Sequence, residues 1–247
     1  MDTVSVSMEV DWLQGCYEWA IALDGVRPNS QELFDIIQSQ ILKSHLSESL
    51  DPTDGLPKDI GHDNTNVTLS GIPTLVEITS ISEVGSSAFQ LDQVRKGRED
   101  RMQVGGFDEY DEGDEDADLE VEGEGPLPNY PRSMLAFVLS DGTTQLQAME
   151  YKPLPQLSLV QTPLGFKLQL KAIRIVCGVA HLEPDDVILL GGKSDLNQHR
   201  DYYLRQNLRE RMGLPKEPKP VFEDVEGEND TSSGAGTPGP PSPSPQL

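Results

Sequence analysis

Arg132-Ser-Met-Leu-Ala-Phe-Val-Leu-Ser-Asp-Gly-Thr-Thr-Gln-Leu-Gln-Ala-Met-Glu-Tyr151 is the stretch that decides the fold of this chain. Met134 to Leu139 is an apolar run of strand length. Asp141-Gly142 is a strong two-residue hairpin signal, because Gly tolerates the positive φ that such turns require. Gln145 to Tyr151 then alternates, with Leu146, Ala148 and Glu150 on one face and Gln147, Met149 and Tyr151 on the other. Pro153 and Pro155 stop the strand, and Leu157 to Pro163 crosses over. Phe166 to Val176 alternates again, setting Phe166, Leu168, Leu170 and Ala172 against Lys167, Gln169 and Lys171. Gly178 interrupts the pattern, Val179 to Leu182 resumes it, and Pro184-Asp185-Asp186 makes a turn. The last strand is Val187-Ile-Leu-Leu190, closed by Gly191-Gly192.

Upstream, Trp12, Leu13, Cys16, Tyr17, Ala20 and Leu23 recur at spacings of three and four, which predicts a helix over 9–24 with one apolar face. After Pro28, Asn29 can cap a second helix and Glu32 can complete a capping box. Leu33, Phe34, Ile37, Ile41 and Leu42 form its stripe. Lys43 to Leu50 reads as a further short helix. Helices this short are unstable alone and must pack on each other and on the downstream part of the chain. Asp51 to Ser70 reads as an irregular connector anchored by Leu56 and Ile60. Gly71 to Val84 reads as the first strand, and Ala88, Phe89, Leu91 and Val94 as a helical turn or irregular cover.

Composition changes abruptly after Gly97. Asp108 to Glu124 holds eleven acidic residues and no basic one. Such a run buries too little apolar surface to offset its ordering entropy, so 97–131 reads as a long insertion within one β-pattern. Beyond the β-block, Leu196, Tyr203, Leu204 and Leu208 form the stripe of a helix over 194–213. Gly213 and Pro215 end it. Pro, Ser and Gly dominate 214–247, which reads as a disordered tail.

The fold class is therefore α+β. A small N-terminal helical bundle (1–50) and a connector (51–70) precede a five-stranded β-barrel of the oligonucleotide/oligosaccharide-binding (OB) type (71–193). The acidic insertion falls between the first two strands, and a C-terminal helix comes after the barrel. The chain has 247 residues, but 36% of them are hydrophobic and 22 are Gly and 19 Pro, so a folded core of about 150–170 residues is expected.

A formal net charge of −23 repels phosphate backbones, so a nucleic-acid role is expected to run mainly through partners. Cys16 and Cys177 read as two buried free thiols, in keeping with a reducing compartment. His45, His62, His181 and His199 have no metal-ligand spacing, and no metal or cofactor is expected. The start of the chain reads as lacking a secretory signal, and no apolar run approaches a membrane span. Gly191-Gly-Lys-Ser194 lacks the upstream glycine of a phosphate-binding loop. The acidic run lacks the ligand spacing of a calcium loop. No catalytic constellation emerges, so the chain is not expected to be an enzyme.

Arg132-Ser-Met-Leu, Leu139-Ser-Asp-Gly, Ala148-Met-Glu-Tyr-Lys-Pro-Leu-Pro155, Gly165-Phe-Lys167, Leu182-Glu-Pro-Asp-Asp-Val187 and Leu190-Gly-Gly192 together resemble the RecQ-mediated genome instability protein family. Trp12-Leu13, Leu56-Pro57, Ser86-Ser-Ala-Phe89 and Val94-Arg-Lys-Gly97 agree in order, so the resemblance covers roughly 9–212. It implies an OB-fold subunit, in a short single-barrel form, that binds type IA topoisomerase III and a RecQ-family helicase. It further implies a role in decatenation and dissolution of recombination intermediates, with residence in the nucleus. The insertion would be an arm reaching into the topoisomerase gate. Phe107, Tyr110, Leu119 and Val121 are apolar islands in the acidic run and natural anchors for a partner. Lys167, Lys171 and Arg174 read as a solvated face, and the resemblance makes Lys167 a candidate partner contact. Two alternatives remain: an OB protein that grips single-stranded DNA itself, or a recruiter like the helical-plus-OB module of Tudor-domain proteins. Phe137, Tyr151 and Phe166 read as core or interface rather than as stacking platforms for bases.

Overall fold

A computed structural model describes residues 7–23, 26–53, 55–71, 73–105 and 127–218. Three helices open it: α1 (Val10–Ala22), α2 (Gln31–Lys43) and the single-turn α3 (Leu46–Ser49). The cap of α2 is Ser30, whose Oγ accepts from Leu33 N, and not Asn29 as the sequence suggests. Asn29 instead takes φ +59° in the preceding turn, a conformation its side chain tolerates better than most.

Eight strands come next: β1 (Val67–Thr68), β2 (Thr74–Glu83), β3 (Leu135–Ser140), β4 (Gln145–Glu150), β5 (Lys167–Leu170), β6 (Arg174–Val176), β7 (Val179–Leu182) and β8 (Val187–Gly191). They form one sheet in the order β1-β6-β7-β4-β3-β2-β5-β8. All pairs are antiparallel except β4 with β7, which runs Gln147↔Val179 to Glu150↔Leu182. The central five strands, β7-β4-β3-β2-β5, carry the OB-type Greek-key order. Eight strands among the described residues exceed the five-stranded barrel expected and are two more than the six strand segments read from the sequence; the two extra have local causes. The single strand expected from Phe166 to Val176 breaks at Lys171–Ile173 into β5 and β6, and Val67–Thr68 of the expected connector pairs with β6.

The hairpin at Asp141-Gly142 forms as expected, with β4 alternating between exposed Gln145 and Gln147 and buried Leu146, Ala148 and Glu150. Val76, Ile78, Leu135, Phe137, Leu139, Leu146, Leu168, Leu170, Ile175 and Leu182 meet in one core, plugged by Leu154, Leu157, Leu159 and Leu164 of the crossover. After β2 the chain enters α4 (Ala88–Gly105), which is longer than the helical turn expected there and runs past Gly97, where composition places the start of the insertion. A 3-10 turn, Asp195–His199, leads into α5 (Arg200–Arg211). Leu196, Tyr203 and Leu204 pack on the main core, and Leu208 seals a smaller cluster with Ala88 and Leu91.

One thiol departs from expectation. Cys16 is buried, but Cys177 is exposed, because Cys177-Gly178 forms the tight turn between β6 and β7. Cys177 takes φ +51° there and donates its N–H to Asn66 Oδ1.

Candidate partner-binding site

The roots of the acidic insertion are the best-defined part of the candidate site. On the outgoing side, α4 is stabilised by Asp92, Arg95 and Glu99, which pair one turn apart along the helix, Arg95 being partly buried. On the returning side, Arg98 donates to Pro128 O at 3.1 Å and lies over the Tyr130 ring at 5.8 Å. Tyr130 packs into the Ala88–Leu91–Leu208 cluster, and burial pushes its phenol up to about 12. Two buried carboxylates then fix the re-entry. Glu83, at the end of β2, accepts from Gly85 N, Ser133 N and Met134 N. Glu150, at the end of β4, accepts from Leu135 N and Leu154 N and binds Arg132 through both guanidinium nitrogens. Arg132 reaches on to the carbonyls of Leu154 and Leu157. The returning end of the insertion is thus tied to the ends of β2 and β4, and α4 on the outgoing side is tied to that returning end through Arg98. Phe107, Tyr110, Leu119 and Val121, the expected anchors, lie outside the described residues.

Lys167 requires a correction. Both sequence readings, a solvated face and a contact surface, put its ammonium outside. The structure buries it completely. Lys167 is the register partner of Glu77 across β5 and β2, and its Nζ donates to Glu77 Oε2 at 3.0 Å and to Ser44 O. Glu77 Oε1 accepts from Leu46 N and faces His45 Nδ1 at 2.9 Å. The cluster therefore ties the α2–α3 turn to the sheet. Burial pulls the Lys167 ammonium below its usual range, with Glu77 opposing. The hydrogen bond to Glu77 lifts the His45 imidazole above its usual value. Both faces of β5 are covered, one by the core and one by the helical module, and period-two alternation alone does not reveal the second cover.

A second surface escapes the sequence pattern. Tyr151, expected in the core or an interface, is 54% exposed. Its ring stacks on His181 (centroids 5.3 Å apart, 12° between planes), and the Arg174 guanidinium lies over it at 5.2 Å. Phe137 is buried and Phe166 packs against the core, as expected. The register supplies the missing signal: Arg174 opposes His181, and Met149, two residues before Tyr151, opposes His181 from the other side. Beside this patch, Lys152 pairs with Glu183.

Among the described residues, no group of three or more His, Cys, Asp or Glu side chains is placed to hold a metal, and no helix is long and apolar enough to cross a membrane. The strand order, the parallel β4–β7 pair and the helical preface define an OB-type module with an insertion after its first long strand. A family model described as "RMI1, N-terminal OB-fold domain" matches residues 56–202, more than half of the chain, and the chain belongs to that family. Proteins named RecQ-mediated genome instability protein 1 are similar to it. That of Xenopus laevis is 28% identical over 195 residues, 78% of this chain and 32% of that protein. That of Danio rerio is 29% identical over 218 residues, 86% of this chain and 38% of that protein. That of Gallus gallus is 29% identical over 197 residues, 78% of this chain and 28% of that protein. The chain thus spans about a third of the length of the curated relatives it matches.

Proposed function

We propose that this chain is a non-catalytic accessory subunit of genome maintenance, acting in the nucleus. It binds topoisomerase III, links it to a RecQ-family helicase, and promotes decatenation and dissolution of recombination intermediates. Family membership and the relatives' names support the genome-stability role. The observation that carries the mechanism is the double anchoring of the acidic insertion, at Arg98–Tyr130 and at Glu83 and Glu150. A segment that serves only as a spacer has no use for a returning root fixed to two strands, whereas an arm presented to a partner does. In this reading Phe107, Tyr110, Leu119 and Val121 supply the apolar contacts. The surrounding carboxylates engage basic surfaces that otherwise grip phosphate. Lys167 contributes by holding the module together.

The test is a pull-down with topoisomerase III alongside a decatenation assay, using the full chain and a variant lacking 107–125. The expected result is capture by both and stimulation only by the full chain. Failure of the full chain to capture topoisomerase III refutes the proposal, and undiminished stimulation by the deletion refutes the arm.

A second reading, direct binding of single-stranded DNA, is favoured by one observation, the exposed Tyr151–His181–Arg174 stack. Base stacking on such a platform is worth about 1–3 kcal/mol per base. A gel shift whose affinity falls steeply with salt, and which Tyr151→Ala weakens, would establish it over the partner-mediated reading.

A further inference from the structure

The two N-terminal helices bury only part of their apolar stripes. Cys16, Ala20 and Leu33 are inside, but Val10 is 71%, Tyr17 39% and Phe34 59% exposed. With Leu13, Leu33 and Ile37 these side chains line a groove of about 430 Å³ between α1 and α2. Val10, Leu13 and Tyr17 succeed one another at spacings of three and four along α1, and Phe34 and Ile37 do so on α2. Two facing rows over about two helical turns are the geometry that receives the apolar stripe of a third helix.

The rim is acidic. Asp11 and Glu18 stand on α1 with Glu9 at its cap, and Glu32 and Asp35 stand on α2. α1 has no basic residue, the one on α2, Lys43, is at its last position, and Arg27 in the turn between the helices is outnumbered by the five carboxylates. Gln14, on the groove wall, donates to Glu18 at 2.8 Å, and Gln31 donates to Asp35 at 2.9 Å, so both carboxylates are held at the surface. This charge decides the occupant. The chain's own acidic run, with eleven carboxylates between Asp108 and Glu124, would meet a rim of like sign. A second copy would set two such rims against each other.

We propose that the α1–α2 groove docks an amphipathic helix of a partner protein, one with an apolar stripe flanked by Lys or Arg. The groove lies in 10–37, before the matched region 56–202, and does not depend on the topoisomerase reading.

The test uses the full chain and three fluorescein-labelled synthetic peptides of about five helical turns. One sets Leu and Lys in helical period, one scrambles that same composition, and one replaces Lys with Glu. In fluorescence anisotropy the periodic Leu/Lys peptide is expected to bind about tenfold more tightly than either control. Tyr17→Ser/Phe34→Ser, which leaves the net charge unchanged, is expected to remove that advantage. Equal binding of the scrambled peptide, or unchanged binding by the double variant, reduces the attraction to net charge and overturns the proposal. Absence of binding up to about 100 µM also overturns it. So does sedimentation showing a dimer that the double variant abolishes, since a second copy is then the occupant. No topoisomerase enters the assay, so failure here and failure of the topoisomerase-binding function are separable.

Discussion

Replacing Lys167 with methionine would test how the helical module is held to the sheet. Lys167 and Glu77 are both fully buried, 3.0 Å apart, and between them they satisfy Ser44 O and Leu46 N of the α2–α3 turn. Lys167→Met preserves most of the volume but leaves the Glu77 carboxylate with only His45 as a charged partner. Breaking a buried pair from one side costs about 3–5 kcal/mol, because the remaining charge is stranded. In a chain of this size that corresponds to a fall in Tm of about 6–20 °C. The double variant Glu77→Leu/Lys167→Met strands no charge. It orphans two backbone groups, each at about 1–3 kcal/mol, so it is expected to be no worse than Lys167→Met alone despite the extra substitution. Such strong non-additivity is the signature of a coupled pair.

Urea unfolding monitored in two ways locates the loss. Both tryptophans, Trp12 and Trp19, lie in α1, so their fluorescence reports the helical module, whereas circular dichroism reports all elements. In the native sequence the two transitions should coincide. In Lys167→Met the fluorescence transition should move to lower urea than the dichroism, because the staple between module and sheet is gone. A Lys167→Met protein within about 0.5 kcal/mol of the native one, or single effects that simply add, would refute the reasoning. A fully folded Lys167→Met protein that nevertheless fails to capture topoisomerase III would restore Lys167 as a contact residue.

His45 supplies a pH dependence. Its folded pKa is raised by Glu77, so its contribution is fully present below the unfolded value of about 6.5 and is lost as pH rises through the folded value. Stability measured across pH 5.5 to 8.5, taken as about one unit below and two above that value, should show this loss, and His45→Gln should flatten it; parallel profiles would contradict the assignment. Gly142 has φ +100°, and a Cβ there would sit 2.6 Å from Ser47 N and 2.7 Å from Leu46 O. Gly142→Ala should therefore cost about 2 kcal/mol or more in urea unfolding, and a neutral result would show that α3 does not rest on the hairpin. Cys177 is exposed while Cys16 is buried with its thiol pushed up by burial, so a disulfide reagent should label one thiol rapidly and the second only on unfolding. Rapid labelling of both would contradict the burial of Cys16.

The β-block is legible in the sequence because its strands alternate and its turns carry their own chemistry. Asp141-Gly142 closes the hairpin as expected, and Asp141 does more than the turn requires. Its side chain accepts from Leu56 N, Thr143 N and Thr144 N, locking the connector to the hairpin tip. That second use is a contact between residues far apart in sequence, which no local pattern encodes. Lys167 is misplaced by sequence reasoning for the same cause. Alternation within Phe166–Val176 distinguishes two faces, but it does not say that the helical module covers the second one. Cys177 is misplaced because an apolar run and a turn look alike until the pairing of Val176 with Val179 is known. The helices show in their stripes, yet a stripe establishes only that a face is apolar. Phe34 and Val10 show that such a face can remain exposed among the described residues.

The buried acids connect these observations. The chain carries 42 Asp and Glu residues. Among the described ones Asp92 is buried against Arg95 and Lys96, and Glu77, Glu83, Asp141 and Glu150 are buried and accept from the backbone. Each accepts backbone N–H groups from a segment distant from its own. Glu77 binds the α2–α3 turn, Asp141 the connector, Glu83 the returning end of the insertion, and Glu150 that same end and the crossover. A buried carboxylate is costly unless its partners are in place, so each one disfavours alternative positions of the segment it holds more than it adds net stability. The chain returns from the insertion into the sheet between two such points, Glu83 and Glu150. An acidic, poorly hydrophobic segment carries little apolar surface for a core. The sheet nevertheless devotes two buried carboxylates to where that segment returns, with Arg132, Arg98 and the partly buried Tyr130 beside them, as the proposed presentation of the segment to a partner requires.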